Sequence, residues 1–260
     1  MLLSEIIAAL RELCPDTFAM SWDNVGLQCG RTGKEVKKIA LALDATSEVI
    51  EKAIAEGADL ILTHHPLLFG GIKHVTDEDY TGKRILRLLQ ADVACYAMHT
   101  NFDVLGMADA AADLLQLSDR EVLEVTFEDD VSVEGLGRVG ILPDNMTLRE
   151  LAQKTAEVFS LEHVQYYGDP DQTVITCAIL PGSGKDEIGH ALRAGADVMI
   201  TGDITHHVGI DACEKGISLI DAGHYGVEKI FIPYMKEYLE REIPQVEIIS
   251  ADCGAPFHSI

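Results

Sequence analysis

"IEKAIAEGADLILTHH", residues 50–65, carries three signals in close succession. Its first half repeats apolar residues at helical spacing, a glycine stands where that helix should stop, and a β-rich run follows. The stretch "IGHALRAGADVMITGD", residues 188–203, aligns with it without a gap at an offset of 138, sharing Gly-Ala-Asp and a following threonine. Upstream of each lies a short apolar segment, "KIALALD" and "VITCAIL", that reads as a strand. Each copy is therefore strand, helix, strand. A βαβ unit of this kind implies parallel strands buried on both faces.

The duplication continues with altered spacing. "VACYAMHTNFD" (93–103) lies against "SLIDAGHYGVE" (218–228) at an offset of 125, which matches His99 with His224 and Asp103 with Glu228. Both copies thus end a strand with a histidine and an acid four positions on. Between the copies the character changes: "EGLGRVGILP" reads as turn and strand, "TLRELAQKTAEVF" as an amphipathic helix, and "HVQYYG" as a further strand. The expected fold class is α/β. A discontinuous main domain with duplicated βαβ units, residues 1–125 and 172–260, is interrupted by a small α+β insertion at 126–171. "QVEIIS" (245–250) is expected to add one more strand to the main sheet.

Composition bounds the function. Hydrophobic residues make up 47% of the chain, enough for a packed core, and the formal net charge is −23. So acidic a chain, with no long basic run, repels phosphate backbones, which argues against general nucleic-acid binding. The six cysteines form no CxxC pair and sit mainly in apolar surroundings, as reduced core cysteines do. "MLLSEIIAALRELCP" lacks the basic start and unbroken apolar stretch of a signal peptide, and no segment approaches membrane-spanning length without charge. A cytoplasmic protein that does not enter membranes is expected.

The chemistry centres on the strand ends. Neighbours on a regular strand point to opposite faces, so His64 and His65 cannot both serve one point from it. At the carboxyl ends of parallel strands the chain turns outward and forms ligand crevices, and Pro66 fixes the exit direction. Once the chain bends, adjacent imidazoles can diverge, one to each of two metal ions on the order of 3.5–4 Å apart. If helices begin after His99 and His224, Asp103 and Glu228 come onto the same helical faces as their histidines. Mixed nitrogen and oxygen donors suit Zn²⁺, Mn²⁺, Fe²⁺, Co²⁺ or Ni²⁺ better than Ca²⁺ or Mg²⁺. Any one of these histidines alone reads as a hydrogen-bonded core or surface group; the doubled strand-end pattern is what singles them out.

Other candidates read more plainly. His74, His163, His190 and His258 lack matched partners, while His206 and His207 follow the second strand end and are placed beside the site without ligating. "LPGSGKDE" (180–187) lacks the GxxxxGK[ST] spacing of a phosphate loop, and its glycines read as a tight strand-to-helix turn. "SWDNVGLQCG" (21–30) reads as a packed Trp22 beside an Asx turn at Asp23 and Asn24.

Taken in order, "SWDNVGLQCG", "DLILTHHPLLFGGIK", "HTNFD", "GLGRVGILP", "GSGKDEIGHALRAGADVMITGD" and "LIDAGHYGVE" resemble the Nif-three-like family in its short form, whose bacterial members are labelled GTP cyclohydrolase I type 2 homologs. The resemblance spans essentially the whole chain. It implies an α/β main domain interrupted by a smaller one, a toroidal homohexamer, and metal sites facing an internal cavity. The family's dinuclear ligands carry onto His64, His65, Asp103, His224 and Glu228, with His99 lining the site as a candidate acid/base. Two divalent ions per chain and hydrolysis of a small molecule, a nucleotide above all, follow as expectations. The rival expectation is a metal-delivery protein or a regulatory ring without turnover.

Overall fold

The computed structural model describes residues 1–257 of the 260-residue chain, so His258 lies outside the described residues. Helix α1 (Leu3–Leu13), strands β1 (Gly26–Cys29) and β2 (Lys38–Ala42), α2 (Ser47–Ala55), β3 (Leu60–Thr63), α3 (Tyr80–Ala91), β4 (Ala94–Ala97) and the short α4 (Thr100–Phe102) come first. A π-helical turn, Asp103–Met107, leads into α5 (Ala108–Leu114), β5 (Ser118–Glu128), β6 (Val133–Thr147), α6 (Leu148–Val158), β7 (Gln165–Tyr167) and β8 (Thr173–Ser183). There follow α7 (Ile188–Arg193), β9 (Val198–Gly202), α8 (His206–Glu214), β10 (Ser218–Asp221), α9 (His224–Glu228), α10 (Phe231–Glu242) and β11 (Glu247–Ser250). No helix among the described residues is long and apolar enough to cross a membrane.

The chain divides into two units. The first holds residues 1–102 together with those from 231 on. Its sheet has the order β1-β4-β3-β2-β11, parallel except for β1, which runs antiparallel to β4. The Leu-Ile-Leu-Thr of β3 is buried throughout, as a central parallel strand covered on both faces must be. On one side α2 and α3 bury Val49, Ile50, Ala53, Ile85 and Leu88 against Ala40, Ala42, Ile61 and Cys95. Helix α10 packs on β2 and β11, and its Tyr238 hydroxyl donates to the Ala9 carbonyl of α1 at 2.8 Å. The Thr46 hydroxyl accepts from the Val49 amide and starts α2, as an N-cap does.

Residues 103–230 form the second unit, with a mixed sheet in the order β5-β6-β8-β9-β10-β7. Strands β8, β9 and β10 are parallel; the remaining pairings are antiparallel. One apolar layer joins Ala111, Leu148, Leu151 and Val227 to Cys177, Ile179 and Ile200, and another joins Ile188, Ala191 and Ala212 to Ala178, Met199 and Leu219. The described architecture is therefore α/β with duplicated βαβ units, one copy in each sheet.

The shared Gly-Ala-Asp explains itself in the same way twice. Gly57 and Gly195 take left-handed conformations, φ +73° and +74°, just past α2 and α7. The aspartate that follows clasps two amides at or near the start of the neighbouring strand. Asp59 Oδ2 accepts from the amides of Lys37 and Lys38 at 2.8 and 3.2 Å, and Asp197 Oδ2 from those of Ile175 and Thr176 at 2.8 and 2.9 Å.

The domain cut differs from the one expected. Residues 126–171 do not make a sheet of their own, because β6 hydrogen-bonds to β8 and β7 to β10. The intervening segment thus completes the sheet of the second copy instead of standing apart from one sheet holding both copies. Local periodicity identifies strands, but it does not say whose edge receives them. "QVEIIS" supplies β11, which pairs in parallel with β2 in the sheet of the first copy.

Candidate metal centre

In the first unit, β3 ends at Thr63 and the two histidines follow at once. The Thr63 hydroxyl donates to the His65 carbonyl at 2.8 Å, bending the chain out of strand geometry. The rings then lie side by side, centroids 4.9 Å apart and tilted by 47°, instead of on opposite faces. His64 is fully buried, with Nδ1 2.8 Å from the Met98 carbonyl. A carbonyl only accepts, so Nδ1 carries the hydrogen. His65 Nδ1 donates to Asp44, just past β2, at 2.8 Å, and His99 Nδ1 to Asp23 at 2.9 Å. One potential ligand nitrogen from each of His64, His65 and His99 lies within 4.8 Å of the other two.

Asp23 is the unexpected member. Its side chain is fully buried, while the neighbouring Trp22, expected to be packed, is exposed and meets the His99 ring edge-on at 6.0 Å. The carboxylate takes the interior position because four donors are waiting there. Oδ1 accepts from His99 Nδ1 and the Asn24 amide, and Oδ2 from the Thr100 amide and hydroxyl. Burial pushes the carboxyl up, but the hydrogen bonds from His99 and Thr100 outweigh it and hold it down at about 2. The anion therefore fixes both the orientation and the tautomer of His99.

In the second unit, His224 and Glu228 open and close α9. Four residues apart on one face, they bring Nε2 to 3.0 Å from Oε2. His224 Nδ1 donates to Asp203, which follows β9, at 2.8 Å. Glu228 is almost fully buried, and the backbone beside it is glycine for a reason. Gly182 has φ +83°, and a Cβ built on it would stand 2.5 Å from Glu228 Oε1. The glycine-rich "LPGSGKDE" thus makes room for a carboxylate of this site. Asp103 is the first residue of the second unit, four positions after His99, and starts a π-helical turn where a regular α-helix was expected. His206 and His207 are exposed at the start of α8 with rings 5.2 Å apart; Asp203, not either of them, holds His224.

The donor chemistry fits a divalent metal. His64, His65 and His224 each have Nδ1 fixed by an oxygen at 2.8 Å, which makes Nε2 the atom each ring would offer to a metal. Metal-binding histidines are commonly oriented in this manner, their second nitrogen donating to a carbonyl or carboxylate. Sequence reasoning overlooked the orienting carboxylates Asp44 and Asp203 and took Asp23 for a turn residue. A signal was available: "LALD" and "ITGD" each place an aspartate within two residues of the end of a strand that neighbours a histidine-bearing one.

Comparison with known proteins identifies the family. The family model described as Duf34/NIF3 (NGG1p interacting factor 3) matches residues 1–255. The chain is 36% identical to a "GTP cyclohydrolase 1 type 2 homolog" of Clostridium perfringens across the whole of both chains, and 34% identical to one of Streptococcus pneumoniae, again across both in full. A solved Bacillus cereus protein related to NIF3 superposes with a TM-score of 0.90 at 25% identity, covering 100% of this chain and 98% of that one. With its duplicated strand ends and its set of tethered histidines, the chain belongs to the Duf34/NIF3 family.

Proposed function

We propose that His64, His65, Asp103, His224 and Glu228 hold two divalent ions per chain and that the protein is a metal-dependent hydrolase of a small molecule, with nucleotides as the favoured class. The reading is carried by the three imidazoles whose Nδ1 atoms are held by oxygens at 2.8 Å, the orientation in which histidines commonly present Nε2 to a metal. The carboxylates of Asp103 and Glu228 add charge-neutralising oxygens. Zn²⁺, Mn²⁺, Fe²⁺, Co²⁺ and Ni²⁺ all suit such a donor set. When bound, such a pair lowers the pKa of a coordinated water and stabilises charge on the attacked group.

The chain's own residues then handle orientation and protons. Asp44 and Asp203 fix His65 and His224, and Met98 fixes His64. His99 lines the site as acid/base: with Nδ1 committed to Asp23, its Nε2 is the atom that takes or gives a proton. The same reading, through the family resemblance, has the chain working in the cytoplasm as a homohexamer.

The test is reconstitution with each of the five metals, elemental analysis, light scattering, and a turnover screen over GTP, other nucleotides and phosphodiesters. Close to two ions per chain, lost in His65→Ala, together with turnover of one substrate is the expected result. Two ions that exchange rapidly without turnover of any substrate would instead establish a metal-delivery protein.

A further inference from the structure

A cleft of about 350 Å³ opens in the first unit beside the histidines, within the size range of small-molecule sites. Its lining includes Asp44, Leu67, Phe69, Ile72, Tyr80 and Arg84. Two of these are aromatic rings left largely in solvent, Phe69 at 62% and Tyr80 at 69% exposure. Phe69 also stands edge-on to His99, centroids 5.9 Å apart, so the aromatic wall adjoins the imidazole cluster.

Arg84 is the cation of this cleft. Its Nε donates to Ser47 Oγ at 3.2 Å, and its guanidinium lies over the Tyr80 ring, 5.1 Å from the centroid. These contacts pre-set a planar fork but use one nitrogen only. Among the described residues Arg84 makes no ion pair, although the chain carries a net charge of −23. Arg87, one turn further along α3, shows the usual fate of an arginine here: it forks Glu51 at 2.6 and 2.9 Å. Asp44 is the one carboxylate in the lining, and it accepts from His65. A half-buried guanidinium with unspent terminal nitrogens recognises a phosphate or carboxylate by a paired contact. Exposed aromatic faces alongside it recognise a planar ring by stacking.

We propose that this cleft binds a small molecule joining a planar ring to an anionic group, the ring against Phe69 and Tyr80 and the anion on Arg84. That the molecule is also the substrate rests on the metal-centre reading, through Asp44, which both lines the cleft and orients His65. Binding itself does not rest on that reading.

The experiment is equilibrium dialysis on the full chain, metal-stripped and Zn²⁺-loaded. The probes are GMP and quinaldate (ring with phosphate or carboxylate), guanosine (ring alone) and ribose 5-phosphate (anion alone). At least one of the first pair should bind at one site per chain, tenfold or more tighter than both single-feature probes. Arg84→Gln should remove that advantage without weakening guanosine, and Tyr80→Leu, which also removes the stack under Arg84, should weaken ring-bearing probes more than ribose 5-phosphate. Neither variant should change melting temperature or zinc content, since neither residue touches a proposed metal ligand. The proposal is overturned if ring-plus-anion probes bind no better than their parts, or if Arg84→Gln binds them like wild type. It is equally overturned if the substitutions alter only the oligomeric state, which would make the cleft a contact between copies. Selective binding by a protein that holds no zinc would leave the cleft standing and sink the metal centre; normal zinc without probe binding would do the reverse.

Discussion

Replacing Asp23 by asparagine should destabilise the first unit, and the loss should depend on pH. The wild-type carboxylate accepts from four donors, and its side chain is fully buried. Its acid constant is held at about 2, against 3.8 for an unperturbed aspartate. A difference of that size corresponds to about 2 kcal/mol of folding free energy in favour of the ionised form. The sign follows from the direction: a depressed carboxyl contributes fully above the unfolded value and loses its contribution as pH falls toward the folded one. An asparagine keeps the shape but turns one acceptor oxygen into a donor facing donors, adding about 1–3 kcal/mol for the group left unpaired. Urea unfolding, followed by far-UV circular dichroism and by the lone tryptophan, should therefore show a gap of about 3–5 kcal/mol between wild type and Asp23→Asn at pH 7. The charge-dependent part of that gap should shrink to roughly half by pH 3. A gap below ~0.5 kcal/mol at pH 7, or one unchanged between pH 7 and pH 3, would refute the claim that the buried anion organises this loop.

Three further outcomes are expected. Gly182→Ala should cost about 1–2 kcal/mol for a side chain at φ +83° and should push Glu228 off His224, so that metal content falls more than the melting temperature suggests; unchanged zinc in a folded variant would remove Glu228 from the ligand set. His99→Ala should keep its metal and lose turnover by about 10²-fold or more, whereas His65→Ala should lose both, and metal analysis of the two side by side decides whether His99 ligates. Asp197→Ala frees two strand amides and should lower stability by about 1–3 kcal/mol without touching metal affinity, which calorimetry and elemental analysis measure separately.

The sequence disclosed the parts that repeat. Gly-Ala-Asp, the mostly apolar β3 and β9, and histidine with acid at spacing four are local patterns, and local patterns survive reading in one dimension. What escaped it depends on partners distant in the chain. Asp23 acquires its role from His99 and Thr100, some 76 residues on, and nothing in "SWDN" reports that meeting. Trp22 was misplaced for the same reason. The interior position went to the residue with four hydrogen-bond partners, and the large apolar ring beside it was left in solvent. The sheet assignment failed in a related way, since an edge strand carries no mark of the strand it will pair with.

The two copies solve one problem with different residues. Aligned through their shared Gly-Ala-Asp, His65 of the first copy corresponds to Asp203 of the second. In the first, the residue at this strand end is a histidine oriented by the Asp44 carboxylate from the next strand over. In the second, the carboxylate itself sits at the strand end and orients His224, which follows the next strand. Acid and imidazole have traded places while the carboxylate–imidazole contact stays at 2.8 Å in both. A duplicated scaffold used only for packing would have no reason to keep that pairing through such an exchange. What persists is an imidazole with its Nδ1 hydrogen committed to a carboxylate, at the carboxyl end of a parallel strand, where α/β sheets place their ligands.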